Sequence, residues 1–365
     1  MTIGTNGNYA KSYANHQLWR LHVTNNEQIA KILAFSRIAH LHDINFWSKH
    51  FRIHEPIDIR VPPQAIDDFA DFLTSDGVKI EYVVHMNDIG AIIERQRILQ
   101  NLTQSSSNTN DFAYDKYHTI EDIHAWVDQM VATYPDMVTP FTYGQDPTIT
   151  QLVDQFDYYI LPVFNVDGYA YTWTKDRLWR KTRSKTSVAN CYGADPNRNW
   201  DYDWCKSGSS HDPCDDTFCG EKAFSEIETA QVAKFIADQR GTIVNYINFH
   251  SYSQLWMSPW SYTTTSPAQF KLQDDGSIQA INALTAVHGT QYQHGSVAQI
   301  ISPTSGSTID WTYGIANVTF SYGVELRDTG EYGFLLPENQ IIPSGEETMA
   351  GLEALLMYID KHVYA

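Results

Sequence analysis

The residues of this chain best suited to chemistry are His250, Glu325, Arg180, Asn197 and Arg198. His250 follows the apolar run Ile243 to Phe249, at the end of what reads as a short buried strand. In an open α/β sheet, ligands sit outside the carboxyl ends of the strands. A histidine there can hold a metal or move a proton; a lone histidine more often merely caps a strand end. Glu325 lies in YGVELRDTG, and a carboxylate in a buried strand is expensive unless it is paired or functional. The plain alternative is an ion pair with Arg327. Arg180 lies in RLWRKTRS, and Asn197 and Arg198 lie in DPNRNWD. Arginine and asparagine side by side suit bidentate recognition of a carboxylate. Together these residues predict a crevice holding an acid, a cationic carboxylate clamp and a histidine.

The elements that must position them divide into two sets. His16 to Thr24 alternates as a strand should, and Asn25 and Asn26 cap a helix over Glu27–Ile38. Strands follow around Asn45 and over Pro56–Val61, then a helix over Pro63–Ser75 and a strand over Val78–Val84. The order β-α-β-β-α-β predicts a ferredoxin-like domain. A helical stretch, Asp88 to Asn101, carries Arg95 and Arg97 and leads into the polar linker TQSSSNTND. An arginine beside such a linker is where a trypsin-like protease would cut. Beyond it, Thr119 and Asp122 cap a helix, and further helices are expected over Gln145–Asp157, from the box Ser225–Glu228 to about Gln239, and over Ser344–Val363. Tyr158–Asn165, Ile243–Phe249 and Val318–Leu326 read as buried strands. Helices alternating with buried strands predict a mixed, mostly parallel α/β sheet covered on both faces.

Composition narrows the partners. The 365 residues carry a formal charge of −18, which argues against nucleic acid or an anionic membrane as the main partner. No apolar run approaches the length of a membrane span. The opening MTIGTNGNYAKSYANHQLW lacks the apolar core of a signal peptide, which taken literally predicts a cytosolic chain. Cys191, Cys205, Cys214 and Cys219 point the other way, since an even count in one loop-rich segment suits one or two disulfides in an oxidising compartment. Cys205, His211, Cys214 and Cys219 as a small zinc site is the competing reading. Two glycosylation sequons, at Asn101 and Asn317, also point outward.

Longer motifs carry a resemblance. FNVDGYAYTWTKDRLWRKTRS, DPNRNWDYDW, INFHSYSQLW, SGSTIDWTYG and ELRDTGEYGFLLPENQIIPSGEET resemble the zinc metallocarboxypeptidases of the pancreatic procarboxypeptidase A/B type. The likeness implies a pro-segment over 12–102, a linker over 103–113 and a catalytic domain over 114–365. It implies that His250 is a zinc ligand, that Glu325 activates the metal-bound water, and that Arg180 stabilises the tetrahedral oxyanion. Asn197 and Arg198 would grip the substrate's terminal carboxylate, and Tyr252 and Phe334 would line the cleft. Ile309 would floor the pocket for the last side chain, an aliphatic floor similar to the A-type enzymes that prefer apolar or aromatic C-terminal residues. Cys191 and Cys214 match a family disulfide, which leaves Cys205 and Cys219 for a second. The implied setting is a secreted monomeric zymogen acting on peptide C-termini, activated by a trypsin-like cut after Arg97.

The resemblance also exposes a gap. The family's other two zinc ligands come from a His-x-x-Glu motif between the points matched here by Val138 and Tyr143, where this chain has only Thr139, Pro140, Phe141 and Thr142. His118 to Glu121 is the literal His-x-x-Glu, but it falls in the first catalytic-domain helix, where the acid suits the helix dipole. A catalytic zinc needs about three protein ligands. The family's mobile tyrosine is out of place too, because Ser302 occupies its position. Three readings follow: a catalytically impaired carboxypeptidase, a protein that binds peptide C-termini without cleaving them, and a splice product or misassembled gene.

Overall fold

The computed structural model describes residues 10–48, 50–104, 112–133, 151–152 and 154–363, with 100–104 by backbone alone. The junction Val138–Tyr143, most of the expected linker and the start of the helix expected at Gln145 lie outside the described residues. The chain forms two compact units, Met1–Ser107 with Ala170–Trp179, and Asn108–Tyr169 with Arg180–Ala365.

In the first unit, β1 (Gln17–His22), β2 (Asn45–Phe46), β3 (Pro56–Val61) and β4 (Glu81–Met86) make an antiparallel sheet in the order β2-β3-β1-β4. Alternation along β1 sends Trp19 and Leu21 into a core with Ile57 and Ile59 of β3. Helices Asn26–Ser36 and Ile66–Thr74 close that core with Ile32, Phe35, Phe69 and Leu73. Each large apolar side chain so buried contributes about 1.5–3 kcal/mol. Asn25 caps the first helix, its side chain accepting the Gln28 N–H at 3.0 Å. The split βαβ order is the one expected from the sequence.

The second unit is built on β5 (Asn245–Ser251), β6 (Leu255–Ser258), β7 (Gln293–Ser296) and β8 (Phe320–Leu326), in the order β5-β8-β6-β7. β5 runs parallel to β8 and β7 parallel to β6, while β6 and β8 are antiparallel. Helices Phe270–His288 and Ile341–Val363 cover one face, where Trp256, Leu284, Phe320, Tyr322, Val324 and Leu355 are buried together. Helix Ile227–Asp238 belongs to a second cluster with Trp200, Trp311 and Val318. This is the mixed α/β sheet between helices that the sequence predicts.

Three local expectations change. Tyr158–Asn165 is not a strand, and Tyr159, Ile160 and Leu161 are 61%, 82% and 57% exposed. Among the described residues β5 is an edge strand whose only partner is β8, so the apolar run has no described strand to pair with. Ser225–Glu228 does not form a capping box. Glu226 is the N-cap without a side-chain bond, because the Ser225 hydroxyl donates to the Glu226 carboxylate and accepts from Asn199. Finally, β5 continues through His250 to Ser251, so the histidine belongs to the strand and not to the turn after it. Strands β6 and β7, four residues each, are too short to show a period in the sequence.

Candidate active site

Strand register places the histidine and the acid. His250 on β5 lies directly beside Glu325 on β8. Side chains alternate along a strand, so Tyr246, Asn248 and His250 share a face with Ser321, Gly323 and Glu325. The opposite face of β8 sends Phe320, Tyr322 and Val324 into the apolar core. Helix Thr308–Gly314 packs on the polar face: Thr312 bonds Ser321 at 3.0 Å, and Asn248 donates to the Thr308 hydroxyl at 3.3 Å.

The loop carrying Asn197 and Arg198 is tied to the start of that helix. The Asn197 side-chain oxygen accepts the Thr308 N–H at 2.9 Å and its hydroxyl at 3.1 Å. The amide nitrogen of Asn197 then points at His250 Nε2, 3.4 Å away. Gly306 makes this docking possible. It has φ +69°, and a Cβ there would lie 2.3 Å from the Arg198 carbonyl oxygen. Ile309 follows in the helix, buried against Gly323.

Asp195 organises the cations, although its setting in DPNRNWD does not mark it as their partner. Arg180 donates to its Oδ2 through Nε at 2.9 Å and Nη2 at 2.7 Å, and Arg198 Nη1 lies 3.7 Å from the same oxygen. The Asp195 side chain is 2% exposed. Burial would raise its pKa, but Arg180 and Arg198 outweigh that and hold it below the usual carboxylate range. In return Asp195 raises the pKa of Arg180, with Glu325 adding to the same field. Arg198 also donates to the Gly208 and Asn197 carbonyls. Its Nη2 makes no hydrogen bond among the described residues, which leaves part of the guanidinium's planar donor set unused.

The aromatic wall comes from the exits of the two strands. Tyr252 lies just past β5 and packs edge-on against Phe334, ring centroids 5.0 Å apart. Phe334 follows β8, in a loop where the Asp328 carboxylate accepts the N–H groups of Gly330, Tyr332 and Gly333. Arg327 does not pair with Glu325. Its guanidinium binds Glu347, Gln340 and Thr290 instead, and the plain explanation of the acid is therefore lost.

The remaining sequence expectations resolve separately. Cys191 bonds to Cys214 and Cys205 to Cys219. His211 lies 3.3 Å from the Cys205 sulfur, but sulfurs joined in disulfides are not thiolate ligands, so the four-residue zinc reading fails. His118 stacks on Phe112, its Nε2 2.7 Å from the Ala113 carbonyl oxygen, while Thr119 and Asp122 form the predicted cap. Arg97 belongs to the first unit, exposed within helix Ile89–Gln104.

A catalytic zinc ion needs about three protein ligands. Among the described residues, the group of three His, Cys, Asp or Glu side chains close enough to share an ion is Cys205, His211 and Cys219, not a group containing His250. The described residues around His250 therefore do not make a three-ligand site.

A zinc carboxypeptidase family model matches residues 126–351, and a carboxypeptidase activation peptide model matches 19–96. The chain is 33% identical over 407 residues to carboxypeptidase A1 of Sus scrofa, covering 97% of this chain and 96% of that protein. It is 31% identical over 420 residues to carboxypeptidase B of Bos taurus, covering 100% and 98%. Among solved structures it is similar to thrombin activatable fibrinolysis inhibitor, with a TM-score of 0.83 and 25% identity over 96% of this chain and 100% of that one. The chain belongs to the zinc carboxypeptidase family and carries that family's activation peptide.

Proposed function

We propose that this chain is a secreted carboxypeptidase zymogen of A-type design whose carboxylate clamp is complete and whose metal site is not. The sequence carries this reading: between Val138 and Tyr143, where the family's His-x-x-Glu motif would stand, the chain has only Thr139, Pro140, Phe141 and Thr142. The length of the alignment supports it, since 407 positions laid on a chain of 365 residues leave residues of the relative without a counterpart. So does the exposed run Tyr159–Leu161; among the described residues β5 has β8 as its strand partner, and both features fit a sheet that has lost neighbouring strands. Zinc, when bound in this family, supplies an acidified water and a Lewis acid.

The chain's own residues still define a ligand. Arg198 and Asn197 meet a terminal carboxylate, Ile309 offers an aliphatic floor for an apolar or aromatic last side chain, and Tyr252 and Phe334 wall the approach. Two disulfides fit an oxidising compartment, and a trypsin-like protease cutting after Arg97 would separate the activation peptide. With a net charge of −18, nucleic acid and anionic membranes are poor partners. The test is hydrolysis of a short peptide ending in phenylalanine by the trypsin-treated chain. No release above the uncatalysed background is expected, and turnover at an ordinary enzymatic rate would sink the proposal.

Retention of the clamp favours a second reading, a binder of peptide C-termini. Titration calorimetry with a phenylalanine-ended peptide and its C-terminal amide decides it. Weaker binding of the amide supports the clamp; equal affinity removes it.

A further inference from the structure

We propose that Asn317 is an N-glycosylation acceptor whose first sugar lies against an aromatic cavity formed by Tyr202, Trp260 and Tyr313. The inference rests on the secretory reading above and concerns a surface separate from the clamp. Asn317-Val-Thr319 occupies the turn between helix Thr308–Gly314 and β8. Asn317 is exposed, and its carboxamide makes no hydrogen bond among the described residues. Its φ of +60° is a left-handed turn conformation that asparagine adopts more readily than most residues. Val318 fixes the turn, buried and donating its N–H to the Thr312 carbonyl at 3.0 Å. The sequon is thus a surface turn, the setting in which such triplets are used. Asn101 is placed differently, inside helix Ile89–Gln104.

The second observation is the cavity itself. Asn317 and Thr319 line a cavity of about 340 Å³ together with Tyr202, Trp260, Gln269 and Tyr313. The Tyr202 and Trp260 rings are stacked, centroids 5.1 Å apart and planes 8° apart, and Tyr313 stands edge-on to Trp260 at 4.9 Å. Gly314 permits this arrangement, because a Cβ there would come within 2.5 Å of the Tyr202 ring. All three rings are only partly buried. Aromatic faces with one or two placed polar groups are the usual lining of a small-molecule site, and a pyranose offers C–H faces to such rings. The Tyr313 hydroxyl donates to Gln269 Oε1, which leaves the amide nitrogen as a donor for the sugar's acetamido oxygen.

The chemistry balances with a polyprenyl-pyrophosphate-linked oligosaccharide as donor. Asn317 Nδ2 forms a bond to C1 of N-acetylglucosamine, the C1–O bond to pyrophosphate breaks, and the amide loses one proton to the transferase. Attached at the cavity's own lining, the first sugar has the aromatic ledge within reach.

The test uses the full chain with a cleavable secretion leader, expressed in a eukaryotic secretory host, with glycopeptide mass spectrometry on the lumenal product. The peptide containing Asn317 is expected to carry the glycan, and Asn317→Gln or Thr319→Ala to abolish it. A bare Asn317 in lumenal protein would overturn the proposal. Enzymatic deglycosylation of the parent is expected to lower Tm by roughly 2–4 °C, the scale of one weak contact in a unit of this size. That loss should vanish in Tyr313→Ala and in Trp260→Ala, and an equal loss in both variants would refute the stacking. Four free thiols in chain isolated from its source would refute secretion instead, without touching what the supplied host reports.

Discussion

Asp195 holds the cationic residues of the site together, accepting from Arg180 at 2.7 and 2.9 Å with Arg198 3.7 Å away. Asn197 and Arg198 are conspicuous because an amide and a cation side by side suit a carboxylate, and Arg180 stands apart from them in RLWRKTRS. The acid that holds them is two residues before Asn197 and fifteen after Arg180, a pairing that exists only in the fold. Asp195→Asn should leave Arg180 and Arg198, 35% and 14% exposed, without their shared charge; because both arginines keep some hydration, the cost should fall below that of a fully buried pair, at about 1–3 kcal/mol in unfolding free energy. Because its folded pKa lies below the unfolded one, Asp195 stabilises above pH ~4, and that contribution is lost as the pH falls through the depressed value. Chemical denaturation of parent and variant between pH 3 and 7 (roughly the carboxylate range) should therefore show curves converging toward acid. Asp310 behaves in the opposite sense. Burial pushes its pKa up to about 7, against the N–H bonds from Ser261 and Tyr262. A raised acid favours folding when protonated, so its contribution is full below pH ~4 and is lost as pH rises toward 7. Asp310→Asn should gain stability relative to the parent over that window, by up to about 4 kcal/mol. A pH-independent difference would contradict this.

At the scale of elements, the strand pair β5 and β8 was legible because apolar runs and their polar ends are visible in one dimension. The face each residue occupies followed only from register, which sets His250 beside Glu325. Short strands β6 and β7 left no pattern to read. The error at Tyr158–Asn165 is instructive, because its apolar sequence has strand character and yet the run is exposed. Composition reports what a segment would bury, not whether a neighbour is there to receive it. Ile160→Lys should consequently change stability by less than about 0.5 kcal/mol, as an exposed substitution does, in thermal denaturation of the purified chain. A loss of several kcal/mol would mean that Ile160 is buried and that the sheet extends past β5.

For the whole molecule, family and fold were readable because long motifs span nearly the entire chain, and the ferredoxin-like unit needs only its alternation and caps. The incomplete metal site proposed for this chain was read from the spacing between motifs, Val138 to Tyr143, and not from any one motif. Limited trypsin digestion should cut first after Arg97, which is exposed but helical, so cleavage requires local unwinding; N-terminal sequencing of the first fragment checks this, and Arg97→Gln should slow it. Sequencing the transcript across Val138 to Tyr143 would tell whether a longer form is made. The most direct measurement of the central claim is zinc content after equilibrium dialysis of the purified chain against a buffer holding free zinc at trace concentration. The account predicts far less than one ion per chain. One ion bound per chain, lost when His250 is replaced by alanine, would contradict it.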